Sequence, residues 1–199
     1  MCDAAALRTS WAVRAEPAGS PDAGALLREY YTEVADRYFA LHEGRRSTPQ
    51  EIEEGLAEYP SADLTPPYGV LLVARAGGVV AGCAGVRLLD ARTAELKQMF
   101  VRASWRGRGG GGRLLTAAES AAARLGAERI RLDTRRDLVE AVALYRRHGF
   151  AEIEPYHDDP YAEVFFEKRL AGAQRSAEPA DTGSPRPAER AVPRRPSPG

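Results

Sequence analysis

The chain has 199 residues, of which 44% are hydrophobic, and this suits one globular domain of ordinary size with a further, non-globular segment. Its 28 basic and 28 acidic residues give a formal net charge of zero. Because no overall positive field results, the composition argues against a nucleic-acid partner and against an anionic membrane surface.

Cysteine content and hydropathy indicate the compartment. Cys2 and Cys83 are the only cysteines. They form neither a disulfide framework nor a metal-ligand cluster, so we predict no metal and no cysteine nucleophile. No apolar run reaches the roughly 18 residues of a membrane span, and the N-terminus lacks the apolar stretch of a signal peptide. These features predict a cytoplasmic protein.

Composition divides the chain into three parts. We predict a flexible N-terminus at residues 1–10, a folded domain at residues 11–170 and a disordered tail at residues 171–199. The tail has no aromatic residue and is rich in Pro, Ala, Arg, Ser and Gly, so it cannot bury enough apolar surface to fold. Acidic residues dilute its arginines, which favours an inert tail over a basic arm for an acidic partner.

The first half of the domain predicts one strand, two helices and three strands. Trp11–Ala15 alternates like a strand, and an apolar helical stripe follows Pro21. Thr48–Glu51 combines a capping box with a first-turn proline and therefore begins a second helix. Gly77-Gly78 separates two apolar strands, as in a hairpin, and another strand runs from about Ala94 to Val101.

A glycine-rich loop follows this strand. It consists of Arg106-Gly107-Arg108-Gly109-Gly110-Gly111-Gly112-Arg113 and precedes a helix-like run from Leu114. Without side chains, backbone N–H groups can converge on an anion, and the helix N-terminus and the arginines add positive charge. The loop therefore predicts a ligand that carries phosphate.

Two common phosphate-binding patterns fit this loop poorly. A P-loop needs Lys-Ser or Lys-Thr after its last glycine, whereas Gly112 is followed by Arg113. The dinucleotide pattern G-x-G-x-x-G is present, with Asp133 about 20 residues further on. However, the polar stretch 102–106 separates the strand from the first glycine, and too little chain follows for a doubly wound sheet. A dinucleotide oxidoreductase is therefore only the third interpretation.

The second half of the domain predicts a helix, a strand, a helix and two strands. The helix after the loop has a face of small and apolar residues and ends at Gly126. Arg129–Thr134 predicts a strand, Val139–His148 a helix, and the segments 151–154 and 164–167 two final strands. The order β-α-α-β-β-β-α-β-α-β-β predicts an α/β domain.

Two motifs in this half resemble the GNAT superfamily of acetyl-CoA-dependent N-acetyltransferases. Arg106-x-x-Gly109-x-Gly111 matches the Q/R-x-x-G-x-G/A signature, and the segment from Ala141 to Phe150 matches A-x-x-x-Y-x-x-x-G-F. Their joint occurrence in this order is more specific than either motif alone. The resemblance covers about 75 residues and implies a GNAT fold, a splayed mixed central sheet flanked by helices.

The resemblance also implies acetyl-CoA as the cosubstrate, with its pantetheine arm between the splayed strands. Main-chain groups of Met99, Phe100 and Val101 would bind the arm and stabilise the oxyanion. The loop residues from Arg106 to Arg113 would hold the pyrophosphate.

Two positions depart from the family pattern. Gly110 stands where an apolar residue is usual, and an additional glycine at a helix start costs about 1 kcal/mol. Leu138 replaces an asparagine that often contacts the pantetheine. That contact is either missing or has moved to Asp137.

Tyr145 carries the strongest assignment, because the family's tyrosine at this position can protonate the leaving thiolate. A primary amine, with a pKa near about 10.4, must lose a proton before it attacks, so a base is needed. Glu95 is our candidate, since its position before the loop resembles the base glutamate of histone-acetylating members. A surface ion pair with Lys97 is the alternative for Glu95. Asp133 and Glu140 are weaker candidates.

Substrate selection in this family comes from the first two helices and the last loop. Here Tyr30–Glu43 and Tyr156–Tyr161 mix aromatic and acidic residues, which suits a cationic amine. We predict Tyr31, His157 and Asp158 as substrate contacts, and either a small-molecule or a protein amine as the acceptor. We expect direct transfer in a ternary complex, by a monomer or a homodimer. The alternative is a non-catalytic acyl-CoA-binding or regulatory module on the same fold.

Overall fold

The computed structural model describes residues 10–58 and 61–171. Cys2 and almost all of the predicted flexible terminus and disordered tail lie outside this range. The described residues form strands and helices in the predicted order. They are β1 (Trp11–Glu16), α1 (Pro21–Glu43), α2 (Pro49–Glu58), β2 (Gly69–Ala76), β3 (Val79–Leu88), β4 (Thr93–Val101), α3 (Gly110–Arg124), β5 (Arg129–Thr134), α4 (Val139–Arg147), β6 (Ala151–Ile153) and β7 (Val164–Arg169).

The strands form one seven-stranded sheet in the order β1-β2-β3-β4-β5-β7-β6. Neighbouring strands are antiparallel except for β4 and β5, which are parallel. A parallel pair needs a long crossover connection. The glycine loop and α3 supply it, which places the loop at the centre of the sheet. The mixed sheet flanked by helices confirms the predicted fold class.

The two central strands pair over a short distance only. Thr93, Ala94 and Glu95 lie opposite Arg129, Ile130 and Arg131, and no further pairs connect β4 with β5. Both strands continue beyond this point, β4 to Val101 and β5 to Thr134. The strands therefore diverge into a wedge-shaped gap, which confirms the predicted splay.

A bulge in β4 borders this gap. Cys83 of β3 lies opposite Phe100, whereas Gly85 lies opposite Lys97, so Gln98 and Met99 share one position of the ladder. Gln98 has a φ of 50°, in the left-handed region. The additional residue of a bulge is left unpaired and bends its strand. The bulge therefore changes the direction of the main chain where β4 leaves β5.

Helices cover both faces of the sheet and bury two apolar cores. On one face, Leu114, Leu115 and Ala118 of α3 pack against the sheet. On the other, Leu26 and Leu27 of α1 pack against a second apolar cluster. In the part of the chain described here, no helix has the length and apolar character needed to span a membrane.

The capping box predicted at the start of α2 is present. The Glu51 N–H donates to Thr48 Oγ1 at 3.3 Å, and the Thr48 N–H donates to Glu51 Oε2 at 2.7 Å. These reciprocal bonds satisfy two N–H groups that lack helical acceptors. The helix start is therefore determined by local sequence.

Candidate active site

The glycine loop leads directly into α3, which begins at Gly110 and not at Leu114 as the sequence indicates. Gly107 and Gly109 have φ values of 72° and 82°, a conformation that favours glycine. The N–H groups of the first helical turn have no acceptor within the helix. Gly110, Gly111 and Gly112 form that turn. Their amides and the helix dipole suit an anion, and this first turn is called the anion site below.

The arginines of the loop are placed differently from one another. Arg106 donates from Nε to the Val101 carbonyl at 2.8 Å and forms an ion pair with Glu33 at 2.6 Å. The guanidinium of Arg108 lies 5.1 Å from the Trp105 ring centroid, and Arg113 is exposed. Arg106 therefore holds the end of β4 against α1, and its contact with pyrophosphate stays a prediction.

Trp11 of β1 supports the loop, a role that sequence reasoning missed. Its Nε1–H donates to the Arg108 carbonyl at 3.0 Å. A Cβ atom at Gly110 would lie 2.3 Å from the Trp11 ring, so no side chain fits there. The departure of Gly110 from the family pattern was the one sequence signal. The indole occupies the space of the apolar side chain that is usual at this position.

A cavity of about 400 Å³ lies in the gap between β4 and β5. Its walls come from α1 and α2, the bulge of β4, the end of β5, the start of α4 and the loop before β7. It brings together the predicted residues Met99, Tyr145 and Tyr31. A Cβ at Gly111 would lie 3.9 Å from Met99 Cε, so the anion site and the cavity are adjacent.

Tyr145 of α4 lies in this cavity, and only 7% of it is exposed. Its Oη donates to Met99 Sδ at 3.9 Å. Burial raises the pKa of Tyr145 far above its usual value, so the phenol keeps its proton. A protonated phenol is the form that can donate a proton to a thiolate.

The start of α4 differs from the family pattern as the sequence indicates. Leu138 lines the cavity. Asp137 accepts two hydrogen bonds from Arg135, at 2.8 and 2.9 Å, and these bonds lower the pKa of its carboxyl group. The Asp137 carboxylate is therefore held in an ion pair, and its contact with pantetheine stays a prediction.

Glu95 is buried, with 3% of its side chain exposed. Its Oε2 accepts from Arg87 Nε at 2.7 Å, and its Oε1 accepts from Tyr156 Oη at 2.9 Å. The Lys97 Nζ is 4.0 Å away. The pair with Lys97 is therefore present at a long distance, but it is not a surface pair, because the Glu95 carboxylate is buried and its main partner is Arg87. Glu140, by contrast, is 70% exposed and pairs with Arg37.

Asp133 lines the cavity next to this group. Its Oδ1 lies 3.3 Å from His157 Nε2. Burial raises the pKa of Asp133 above its usual value, and the nearby Glu95 carboxylate adds to this effect. Ligand atoms of Glu95, Asp133 and His157 lie within 4.8 Å of one another, a spacing that could hold a metal ion. Arg87 and Tyr156 already occupy both oxygens of Glu95, which disfavours a cation.

Tyr31 and carboxylates from three elements line the outer part of the cavity. The Tyr31 hydroxyl packs so closely on α2 that a Cβ at Gly55 would lie 1.5 Å from it. The loop before β7 contributes Asp159 and Tyr161 to the lining, rather than the predicted His157 and Asp158. Carboxylates of α2, missed by sequence reasoning, also line it, and their spacing on one helix face was the available signal. They are Glu51, Glu54 and Glu58.

Comparisons with known proteins agree with this geometry. The sequence model of the acetyltransferase (GNAT) family matches residues 27–150. An uncharacterized N-acetyltransferase of Schizosaccharomyces pombe is 32% identical over 143 residues, which cover 71% of this chain and 82% of that protein. An IAA acetyltransferase of Azospirillum brasilense is 38% identical over 111 residues, 54% of this chain and 72% of that protein.

Solved structures share the fold. A GNAT family acetyltransferase from Elizabethkingia anophelis, with acetyl-CoA bound, has a TM-score of 0.54 and 19% identity to this protein. The match covers 80% of this chain and 98% of that one. The extent of the family match and the S. pombe relative establish the assignment: the chain belongs to the GNAT family of acetyltransferases.

Proposed function

We propose that this protein transfers the acetyl group of acetyl-CoA to a primary amine by direct attack within a ternary complex. One observation carries the proposal. The gap between β4 and β5 places the buried phenol of Tyr145 beside the bulged main chain at Met99, next to the anion site of α3. In this arrangement, the main chain at the bulge suits a thioester, the phenol suits its leaving thiolate, and the anion site suits a pyrophosphate.

The main chain offers a place for each part of acetyl-CoA. The first-turn amides of α3 suit the pyrophosphate. Beyond Glu95, the edge of β4 that faces the gap has no β5 partner, so an extended pantetheine arm can add to it as a strand would. The fold shared with the acetyl-CoA complex from E. anophelis supports this assignment.

The side chains suit the bond changes of the reaction. The neutral amine nitrogen forms a bond to the carbonyl carbon, the C–S bond breaks, and the proton that the nitrogen then loses restores the phenol of Tyr145. The Tyr145 phenol, kept protonated by burial, gives its proton to the departing sulfur. Main-chain N–H groups at the bulge would stabilise the charge that develops on the carbonyl oxygen.

The lining of the cavity favours a positively charged acceptor. Glu54, Glu58 and Asp159 supply carboxylates, and Tyr31 and Tyr161 supply aromatic faces. Carboxylates and aromatic rings both attract ammonium groups. The cation Arg135 also borders the cavity, but Asp137 neutralises it. We therefore expect amines with a further positive charge to react better than amines that carry a carboxylate.

The experiment is acetylation of an amine panel by the full-length protein. The panel contains a monoamine, a diamine, an amino acid and a peptide with a free N-terminus. CoA release and the mass of the product are both measured. We expect N-acetylated product with the highest kcat/KM for the diamine. Absence of CoA release with every amine, although acetyl-CoA binds, would overturn the proposed reaction and favour the binding module.

A further inference from the structure

We propose that Asp133 of β5, positioned by His157, accepts the proton of the attacking amine. This inference rests on the proposed function, and it moves the base from Glu95 on β4 to the neighbouring strand. The proton leaves the ammonium nitrogen, an O–H bond forms on Asp133, and the neutral amine then attacks. Nothing else is consumed in this step.

The position of Asp133 in the sheet supports this role. The last pair between β4 and β5 joins Glu95 and Arg131, and Asp133 follows on β5 where the gap has opened. Asp133 therefore lines the cavity that holds Tyr145. Glu95 lies in the paired part of the sheet and does not line that cavity.

The partners of the two carboxylates differ in a way that matters for proton transfer. Glu95 accepts hydrogen bonds from a cationic group on one oxygen and from a phenol on the other. Both oxygens of Glu95 therefore already have donors, and neither is left for an amine. Among the described residues, His157 is the one side chain that forms a hydrogen bond with Asp133, on Oδ1, which leaves Oδ2 for the amine.

The imidazole of His157 is fixed by contacts on both nitrogens. Its Nδ1 accepts the Asp159 N–H at 3.3 Å. These two contacts correspond to the tautomer that carries its proton on Nε2, and this nitrogen faces Asp133 Oδ1. The ring also packs edge-on against Tyr156 and Phe165, with centroids 4.6 and 5.0 Å away. His157 thus donates a hydrogen bond to the Asp133 carboxylate and orients it.

The surroundings of Asp133 raise its pKa, which is the direction that a general base requires. Burial, Glu95 and Asp159 raise the pKa of Asp133, and His157 lowers it. Lys97 and Arg135 also border the cavity, but their charges are directed at Glu95 and Asp137. A carboxylate with a raised pKa accepts a proton more readily near neutral pH than an exposed aspartate does.

The test compares pH profiles of kcat/KM for the amine in the full-length protein and its variants. For Asp133→Asn we expect a loss of about 10²- to 10⁴-fold near pH 7, as for removal of a general base. The loss should shrink as the pH approaches the pKa of the amine, because free amine then needs no base. The Kd for acetyl-CoA should not change.

His157→Phe provides a readout that a merely structural role would not move. The contact with His157 lowers the pKa of Asp133, so its removal should shift the acidic limb of the profile to higher pH. An unshifted limb with a uniformly lower rate would contradict the positioning role. The same shift should be visible without catalysis, in the titration of the Asp133 carboxyl carbon by NMR.

Glu95→Gln is measured in parallel, because Glu95 is the competing base. A profile of Asp133→Asn that equals the wild-type profile, with the acidic limb lost in Glu95→Gln, would overturn the inference in favour of β4. Failure of the proposed function is distinguishable, since the wild-type protein itself would release no CoA with any amine. In that case the role of Asp133 as the base is rejected together with the proposed reaction.

Discussion

The two halves of the site are built in different ways. The anion site and the bulge, here called the cofactor half, come from one continuous segment, Gln98–Arg113, and use main-chain groups and glycine. The other half, here called the acceptor half, is the part of the cavity lined by side chains from α1, α2, β5 and the loop before β7. The first half suits the part of the reaction that is the same for every acceptor, and the second half can change without disturbing it. Substitutions should therefore affect either acetyl-CoA or the amine, but seldom both.

Tyr145→Phe should have the largest effect, because this residue lies where the two halves meet. Loss of the proton donor should lower kcat by about 10²- to 10⁴-fold. Binding of either substrate should change little, since the ring stays in place. Steady-state kinetics of CoA release, together with calorimetry of acetyl-CoA binding, check this. A lower affinity with an unchanged kcat would assign Tyr145 to packing instead.

Gly110→Ala should disturb the cofactor half alone. The added carbon would lie 2.3 Å from the Trp11 ring, and overpacking of this kind costs about 1–3 kcal/mol. We expect the KM for acetyl-CoA to rise about tenfold, equivalent to about 1.4 kcal/mol, with little change in the KM for the amine.

Two further variants make the Gly110 experiment specific. Trp11→Val in the same chain removes the ring that the new methyl group meets, so it should recover part of the loss in a double-mutant cycle. Gly24→Ala is the matched control, because its Cβ meets nothing within 4 Å. Independent, additive effects of Trp11→Val and Gly110→Ala would show that the contact does not position the loop.

Gly55→Ala should disturb the acceptor half alone. The new Cβ would lie 1.5 Å from the Tyr31 hydroxyl, so the ring must move within the cavity. We expect the KM for the amine to rise about fivefold, equivalent to about 1 kcal/mol, at a constant KM for acetyl-CoA. Kinetics with each substrate varied in turn separate the two values. A change in the KM for acetyl-CoA would show that the halves are coupled.

Thiol reagents should have the smallest effect on activity. Burial raises the pKa of Cys83 to about 12, from an ordinary value of 9.0. At pH 8 its thiolate fraction should then be about a thousand times lower than that of an exposed cysteine. In a Cys2→Ser variant, iodoacetamide should leave both mass and activity unchanged until the protein unfolds. Rapid alkylation of the folded protein would contradict the burial of this thiol.

The same pKa predicts how stability changes at high pH. Cys83 keeps its proton in the folded protein to a higher pH than in the unfolded chain. The unfolded state therefore binds fewer protons between about pH 9 and 12, and the free energy of unfolding should fall as the pH rises through this window. Urea unfolding of the Cys83→Ala variant should lack this contribution.

Local sequence predicted the glycine loop before a helix and much of the fold. The glycine run, the capping box at Thr48–Glu51 and the hairpin at Gly77-Gly78 each depend on neighbours in the chain. The start of α3 was placed too late, because glycine has a low helix propensity. Packing of Leu114 and Leu115 in the core and of Gly110 against Trp11 favours helix from Gly110 onward.

The acceptor half could not be predicted in the same way, because its residues meet only through tertiary structure. Glu95 lies opposite Arg87 in the register of β3 and β4, and Tyr156 reaches Glu95 from a loop 61 residues away. Neither contact has a local signal, so a surface pair with Lys97 was a reasonable expectation. His157 was predicted as a substrate contact, whereas the structure places it beside Asp133, a contact that depends on how the loop folds back over β5.

The short pairing between β4 and β5 affects how the stability of the folded protein depends on acetyl-CoA. Three residue pairs join a four-stranded and a three-stranded half of the sheet. If acetyl-CoA binds along the open edge as proposed, it bridges these halves and stabilises the folded state as its concentration rises. The concentration of acetyl-CoA would then affect both the rate of acetylation and the fraction of the enzyme that is folded and protected from proteolysis.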